Sequence, residues 1–129
     1  MPGPRTPIEI VQGFCAAWGN AEWNRFPEFI ADEVEFHMVP LEPAHGAAAL
    51  TEECKKLEQL GAVRVKILAI GAAGNVVFTE RIDSLELPDR VGDLPVMGIF
   101  EIDDDRIVAW RDYFDMQQAL EAFGLTEVM

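Results

Sequence analysis

A chain of 129 residues, half of them hydrophobic, suggests one compact domain over residues 1–129 with enough apolar mass for a real core. Ten Lys and Arg against 23 Asp and Glu give a formal net charge of -13. That balance argues against nucleic acid, whose phosphates demand basic patches, and against anionic membrane surfaces.

Thr6-Pro7-Ile8-Glu9 predicts a helix start, with Thr6 as cap, Pro7 in the first turn and Glu9 closing a capping box. Ile8, Val11, Cys15 and Trp18 follow at helical spacing, and Gly19-Asn20 ends the run. Met1 to Arg5 lead straight into this helix with no signal-peptide pattern, and no apolar run reaches the roughly 20 residues of a membrane helix. The expectation is a cytoplasmic protein whose two cysteines, Cys15 and Cys54, are reduced and buried. A shorter helix is expected over Trp23–Ile30, broken or restarted at Pro27. Val34 to Val39 alternates as a strand, with Val34, Phe36 and Met38 on one face and Glu35 and His37 on the other.

Pro40 to Gly46 reads as a loop, and Ala47 to Leu60 as a helix with Leu50, Cys54 and Leu57 on one stripe, closed by Gly61. Strands follow over Val63–Ile70, Val76–Leu85, Val96–Ile102 and Arg106–Phe114. Gly71 to Asn75 and Asp103 to Asp105 are turns, and Glu86 to Pro95 is a polar loop. Asp115 caps a last short helix that Gly124 stops. Helices gathered before a meander of strands imply an α+β fold, a curved and mostly antiparallel sheet covered by helices around an apolar pocket.

Three charged residues fall on faces that should be buried. Arg81 and Asp83 sit two apart in one strand, and Asp112 shares a face with Val108, Trp110 and Phe114 in another. A carboxylate between aromatics is costly unless paired, and an arginine with two carboxylates in an apolar setting suits proton transfer. A structural ion-pair network is the plainer alternative. Phe36, Met38, Met97, Ile99, Trp110 and Phe114 are the candidate pocket lining: any one of them taken alone is more often ordinary core, and together around the polar triplet they suit an apolar ligand. Asp103-Asp104-Asp105 lacks calcium-loop spacing, and His37 and His45 lack metal-ligand spacing with the cysteines, so no metal and no cofactor is expected.

Thr79-Glu80-Arg81-Ile82-Asp83, Gly98-Ile99-Phe100-Glu101-Ile102 and Trp110-Arg111-Asp112-Tyr113-Phe114-Asp115 together resemble the limonene-1,2-epoxide hydrolase family. The loop from Pro40 to Gly46 is similar as well. The resemblance implies a cone-shaped domain like nuclear transport factor 2, a homodimer, and one-step opening of a small apolar epoxide. It casts Asp83 as general acid, Asp112 as general base and Arg81 as the group between them. The family's Tyr and Asn, which help hold the attacking water, correspond to Phe36 and Met38, and neither can make those hydrogen bonds. Two alternatives stay open: an isomerase or cyclase using the same three residues, and a non-catalytic binder of small hydrophobic ligands. An outer sheet face carrying Arg64, Lys66, Glu80 and Tyr113 is the candidate dimer contact.

Overall fold

The computed structural model describes residues 5–39 and 41–125. Met1 to Pro4, on which the reading of the N-terminus partly rests, and Pro40 of the predicted loop lie outside the described residues, as does 126–129. Helix α1 spans Pro7–Gly19, α2 Ala47–Leu60 and α3 Met116–Phe123, and a 3₁₀ segment covers Trp23–Glu28. The strands are β1 Ile30–Val39, β2 Ala44–His45, β3 Ala62–Ala73, β4 Val76–Glu86, β5 Val91–Asp103 and β6 Arg106–Tyr113. They form one six-stranded sheet in the order β2-β1-β6-β5-β4-β3. Every pairing is antiparallel except β1 with β6.

The capping box of α1 is present. Thr6 Oγ1 accepts from the Glu9 amide at 3.1 Å, and Glu9 Oε1 accepts from the Thr6 amide at 2.9 Å. The helix buries Ile10, Val11, Phe14, Cys15, Ala17 and Trp18 against the sheet. The Trp23–Glu28 segment is 3₁₀ rather than α-helical because Pro27 lies inside it and has no N–H to give. Asp104 and Asp105 both have positive φ, 49° and 62°, which gives the tight β5–β6 hairpin turn. At the other end, α3 is capped by Asp115, whose side chain accepts from the Gln118 amide, and stops at Gly124 with φ 69°.

Several predicted boundaries move, and β3 runs on to Ala73 through part of the turn expected at Gly71 to Asn75. Strand β1 starts at Ile30 rather than Val34, its pairing with β6 shifting register between Ile30 and Glu35. Ala44–His45, expected as loop, pairs with Glu35 and Phe36 as a two-residue edge strand. The polar loop over Glu86–Pro95 shrinks to a turn, because β5 begins at Val91. Pro95 is tolerated there because β6 pairs with β5 only from Met97 onward, leaving one side of the strand open at Pro95. That open stretch carries α3, and Gly92 lies so close that a Cβ there would sit 1.9 Å from the Ala122 carbonyl oxygen.

The main core lies between α1 and the inner face of the sheet. Trp110 is its centre, with ring centroids 5.3 Å from Phe14, 5.2 Å from Trp18, 4.7 Å from Phe36 and 5.4 Å from Phe100. Aromatic pairs at such separations add packing beyond area burial, which makes this wall rigid.

Candidate active site

The inner face of β4 presents Thr79, Arg81 and Asp83, and the inner face of β6 presents Trp110 and Asp112. All five are buried. The charged side chains meet in one cluster. Arg81 makes a side-on fork to Asp83, Nε to Oδ1 at 3.0 Å and Nη2 to Oδ2 at 2.7 Å. It makes an end-on fork to Asp112, Nη1 to Oδ1 at 3.1 Å and Nη2 to Oδ2 at 2.8 Å. The remaining Nη1 hydrogen goes to Thr79 Oγ1 at 3.1 Å. A guanidinium has five N–H groups, and all five are used. Arg81 therefore organises the two acids and has no donor left for a ligand.

Asp112 is held a third way, by the Trp110 indole, whose Nε1 donates to Oδ1 at 2.7 Å. Oδ1 thus accepts two hydrogen bonds while Oδ2 accepts one, which leaves a free lone pair on Oδ2. Asp83 has a different constraint. Burial raises its pKa above the ordinary value of 3.8, Arg81 pulls it back down, and the neighbouring Asp112 raises it further, with a net rise. A proton on Asp83 cannot face Arg81, where every group is a donor, so it faces the cavity. Burial opposes the charge on Arg81, but Asp112 and Asp83 more than offset this and lift its pKa well above the usual value. The cluster is therefore a fixed cation between Asp83, inclined to keep its proton, and Asp112, whose Oδ2 has an open lone pair.

Asp83 and Asp112 both line a cavity of about 130 Å³. Its walls are otherwise apolar apart from Glu53. Phe36, Met38, Trp110 and Phe114 line it as the sequence pattern predicts. Met97 and Ile99 do not. Met97 is 50% exposed and faces away from the helices, paired with Tyr113, and Ile99 shares that outer face. They share that face with Asp93 and Glu101, so alternation along the strand turns Met97 and Ile99 outward. The inward set is Leu94, Val96, Gly98 and Phe100, and it is Leu94 and Val96 that line the cavity. The sequence reading also missed the closing wall from α3, where Leu120 and Phe123 complete the cavity, and the part played by Trp18 from α1. The apolar spacing on both helices carried that signal. Cys54 lines the cavity too, but burial pushes its thiol well above the usual range, and the Cys15 thiol rises to about 12, so neither is a nucleophile at neutral pH.

Comparison with known proteins defines the class. The sequence profile described as "Limonene-1,2-epoxide hydrolase catalytic domain" matches residues 5–124, and the chain belongs to this family. Among characterised relatives, it is 32% identical over 106 residues to epoxide hydrolase EphG of Mycobacterium tuberculosis, which covers 82% of this chain and 71% of that one. The solved structure of an M. tuberculosis limonene-epoxide-hydrolase-like epoxide hydrolase superposes with a TM-score of 0.81 at 30% identity, covering 91% of this chain and 88% of the other. A putative polyketide cyclase from Streptomyces antibioticus, IdmH, superposes with a TM-score of 0.80 at 15% identity, covering 94% and 100%, and so shares the fold. The fold is the NTF2-like, ketosteroid-isomerase-like α+β architecture.

Proposed function

We propose that this protein hydrolyses a small, uncharged, apolar epoxide by one-step acid and base catalysis. The observation that carries the reading is the double fork of Arg81, which sets Asp83 and Asp112 side by side at the wall of an apolar cavity. Asp112 Oδ2 takes a proton from water as the water oxygen attacks an epoxide carbon. The carbon–oxygen bond of the ring breaks, and Asp83 delivers its proton to the leaving oxygen, so no alkoxide is released. The product is a diol. One proton has moved from Asp83 to Asp112 and returns through solvent before the next turnover. The charged residues lining the cavity, Asp83, Asp112 and Glu53, are all acidic, which favours an uncharged substrate over a carboxylate or phosphate.

A second reading rests on Phe36 and Met38. These two cavity residues stand opposite Trp110 and Asp112 in the β1–β6 register and offer no hydrogen bond to a water. A hydroxyl of the substrate itself would then serve as nucleophile, giving a cyclic ether. Turnover of a panel of terpene and cyclic epoxides in oxygen-18 water separates the two. Labelled diol, absent with Asp112→Asn, supports hydrolysis, and unlabelled cyclic product supports the second reading. Tight binding with no chemical change in any substrate would reduce the site to a binder.

A cytoplasmic homodimer completes the reading. Free Cys15 and Cys54 suit a reducing compartment. The outer sheet face carries Phe78 beside Ile99 and Met97 beside Tyr113, with Phe78, Met97 and Tyr113 each exposed by more than two-fifths. Apolar side chains grouped in this way favour a second copy as cover. Sedimentation equilibrium tests this, with dimer expected for the wild type and monomer for Met97→Glu.

A further inference from the structure

The bridge from Arg81 to Asp112 has to cross a strand. Arg81 belongs to β4 and Asp112 to β6, and β5 lies between them. Neighbouring strands are about 4.8 Å apart, so the two backbones are separated by roughly twice that. The crossing point is fixed by register. Thr79 pairs with Gly98, and Gly98 pairs with Asp112, so these three residues form one row across the sheet. The Arg81 guanidinium lies over the middle of that row. A Cβ on Gly98 would be 2.2 Å from Arg81 Nη1, 2.6 Å from Asp112 Oδ1 and 2.9 Å from Thr79 Oγ1. No real Cβ tolerates such contacts, and two of the three atoms are locked by other bonds. The backbone at Gly98 needs no left-handed conformation, since its φ is not among the positive ones. What requires a glycine here is the space above it.

Thr79 occupies the other end of the row. It is fully buried, and its hydroxyl takes the one Nη1 hydrogen that neither carboxylate reaches. The same hydroxyl donates onward to the Gly98 carbonyl at 3.3 Å. It therefore ties the guanidinium plane to the backbone of the strand it crosses.

We infer that Gly98 and Thr79 are positioning residues of the acid and base pair: Gly98 clears the channel over β5 through which Arg81 reaches Asp112, and Thr79 sets the plane of the guanidinium. The inference rests on the hydrolase reading for its kinetic consequences and on geometry alone for its structural ones. With an added methyl at position 98, Nη1 and Asp112 Oδ1 move apart, and Asp112 no longer presents Oδ2 at the same place. Without the Thr79 hydroxyl, a buried N–H loses its partner and the guanidinium tilts to find another. Neither residue lines the cavity, so ligand affinity should survive both changes.

The test combines kinetics with a readout that needs no turnover. In Gly98→Ala, kcat on the best epoxide of the panel should fall about a hundredfold, with affinity for a small apolar amide, followed by the fluorescence of Trp18 and Trp110, nearly unchanged. In Thr79→Val, the alkaline limb of kcat/KM should move to higher pH, because a loosened Arg81 lowers the pKa of the acid Asp83 less, and Thr79→Ser should restore the wild-type limb. Nitrogen-15 NMR of the Arg81 side chain gives the independent reading: resolved, slowly exchanging Nη–H signals in the wild type and in Thr79→Ser, collapsed or lost in Gly98→Ala and Thr79→Val. Wild-type kcat in a folded Gly98→Ala, or Nη signals in Thr79→Val that match those of Thr79→Ser, would overturn the inference. If the wild type opens no epoxide, the hydrolase reading fails while the NMR comparison still decides the positioning role. If Gly98→Ala does not fold, the two Thr79 variants decide it.

Discussion

The two faces of this sheet solve the same chemical problem in opposite ways. On the inner face, Arg81 and its two aspartates are buried, the arginine completely. On the outer face, Arg64 of β3 pairs with Glu86 of β4 while its side chain stays 70% exposed. Each is an arginine joined to carboxylate within the same sheet. In water the pairing is screened and worth little. Away from water the same pairing makes three side chains depend on one another, and the competing pulls on Asp83 leave it inclined to hold its proton. Burial, more than residue type, is what separates the two pairings, and the proposed acid and base roles rest on it.

The sharpest way to break the contrast is to remove the buried arginine. Arg81→Met keeps an unbranched apolar stem, removes the guanidinium and strands two carboxyls in an apolar wall. The expected loss is about 3–5 kcal/mol of unfolding free energy at pH 8, measured by urea denaturation. The loss should shrink at pH 5, because the stranded carboxyls can then take up protons and become neutral. A loss independent of pH would mean that Arg81 acts by packing alone.

Next in size is the split between the two acids. Asp112→Asn should lower kcat by about a hundred- to ten-thousandfold while the protein remains folded, since the proposed base is lost and the shape is kept. Asp83 gives the pH dependence. Its folded pKa lies above the ordinary value, so the folded protein holds a proton that the unfolded chain has already released. The stability this carries is complete below pH 3.8 and is lost as pH rises through the folded value. Activity should fall along the same limb, because the acid must be protonated to act. Asp83→Asn should remove that slope from the stability curve together with the activity. A wild-type stability curve with no slope on this limb would contradict the assignment.

The contrast also explains which parts of the molecule the sequence reveals. Arg81, Asp83 and Asp112 are legible because charges at alternating positions in apolar strands have no bland place to go. The α1 and α2 boundaries are legible because Thr6, Pro7, Glu9 and Gly61 are local signals acting on local structure. Met97 and Ile99 share their face with Asp93 and Glu101, so the local alternation of β5 already turns them outward and leaves the pocket positions to Leu94 and Val96. Gly98 marks the inner face as well, because a side chain crosses over it, and that crossing exists only in the folded sheet. The start of β5 was hidden for a related reason. Pro95 marks a break in a central strand but is harmless in a stretch that β6 does not reach. The apolar stripe of α3 is legible in the spacing of Met116, Ala119, Leu120 and Phe123, but where it docks depends on how closely Gly92 approaches Ala122, which exists only in the folded chain.

The smallest expected effect is on the outer face, and it completes the comparison. A double-mutant cycle on Arg64 and Glu86, using Arg64→Met and Glu86→Gln, should return a coupling of about 0.2–1 kcal/mol. It should shrink further in 1 M salt, where the screening length is only about 3 Å. The same cycle on Arg81 and Asp112 should return several times more and change little with salt, since neither partner is reached by counterions. If the two cycles gave equal couplings, burial would not be what distinguishes the faces, and the acid and base roles of the inner cluster would need another cause. If only the inner coupling were large and insensitive to salt, the proton-handling cluster would owe its properties to its place under α1 and against the Trp110 wall.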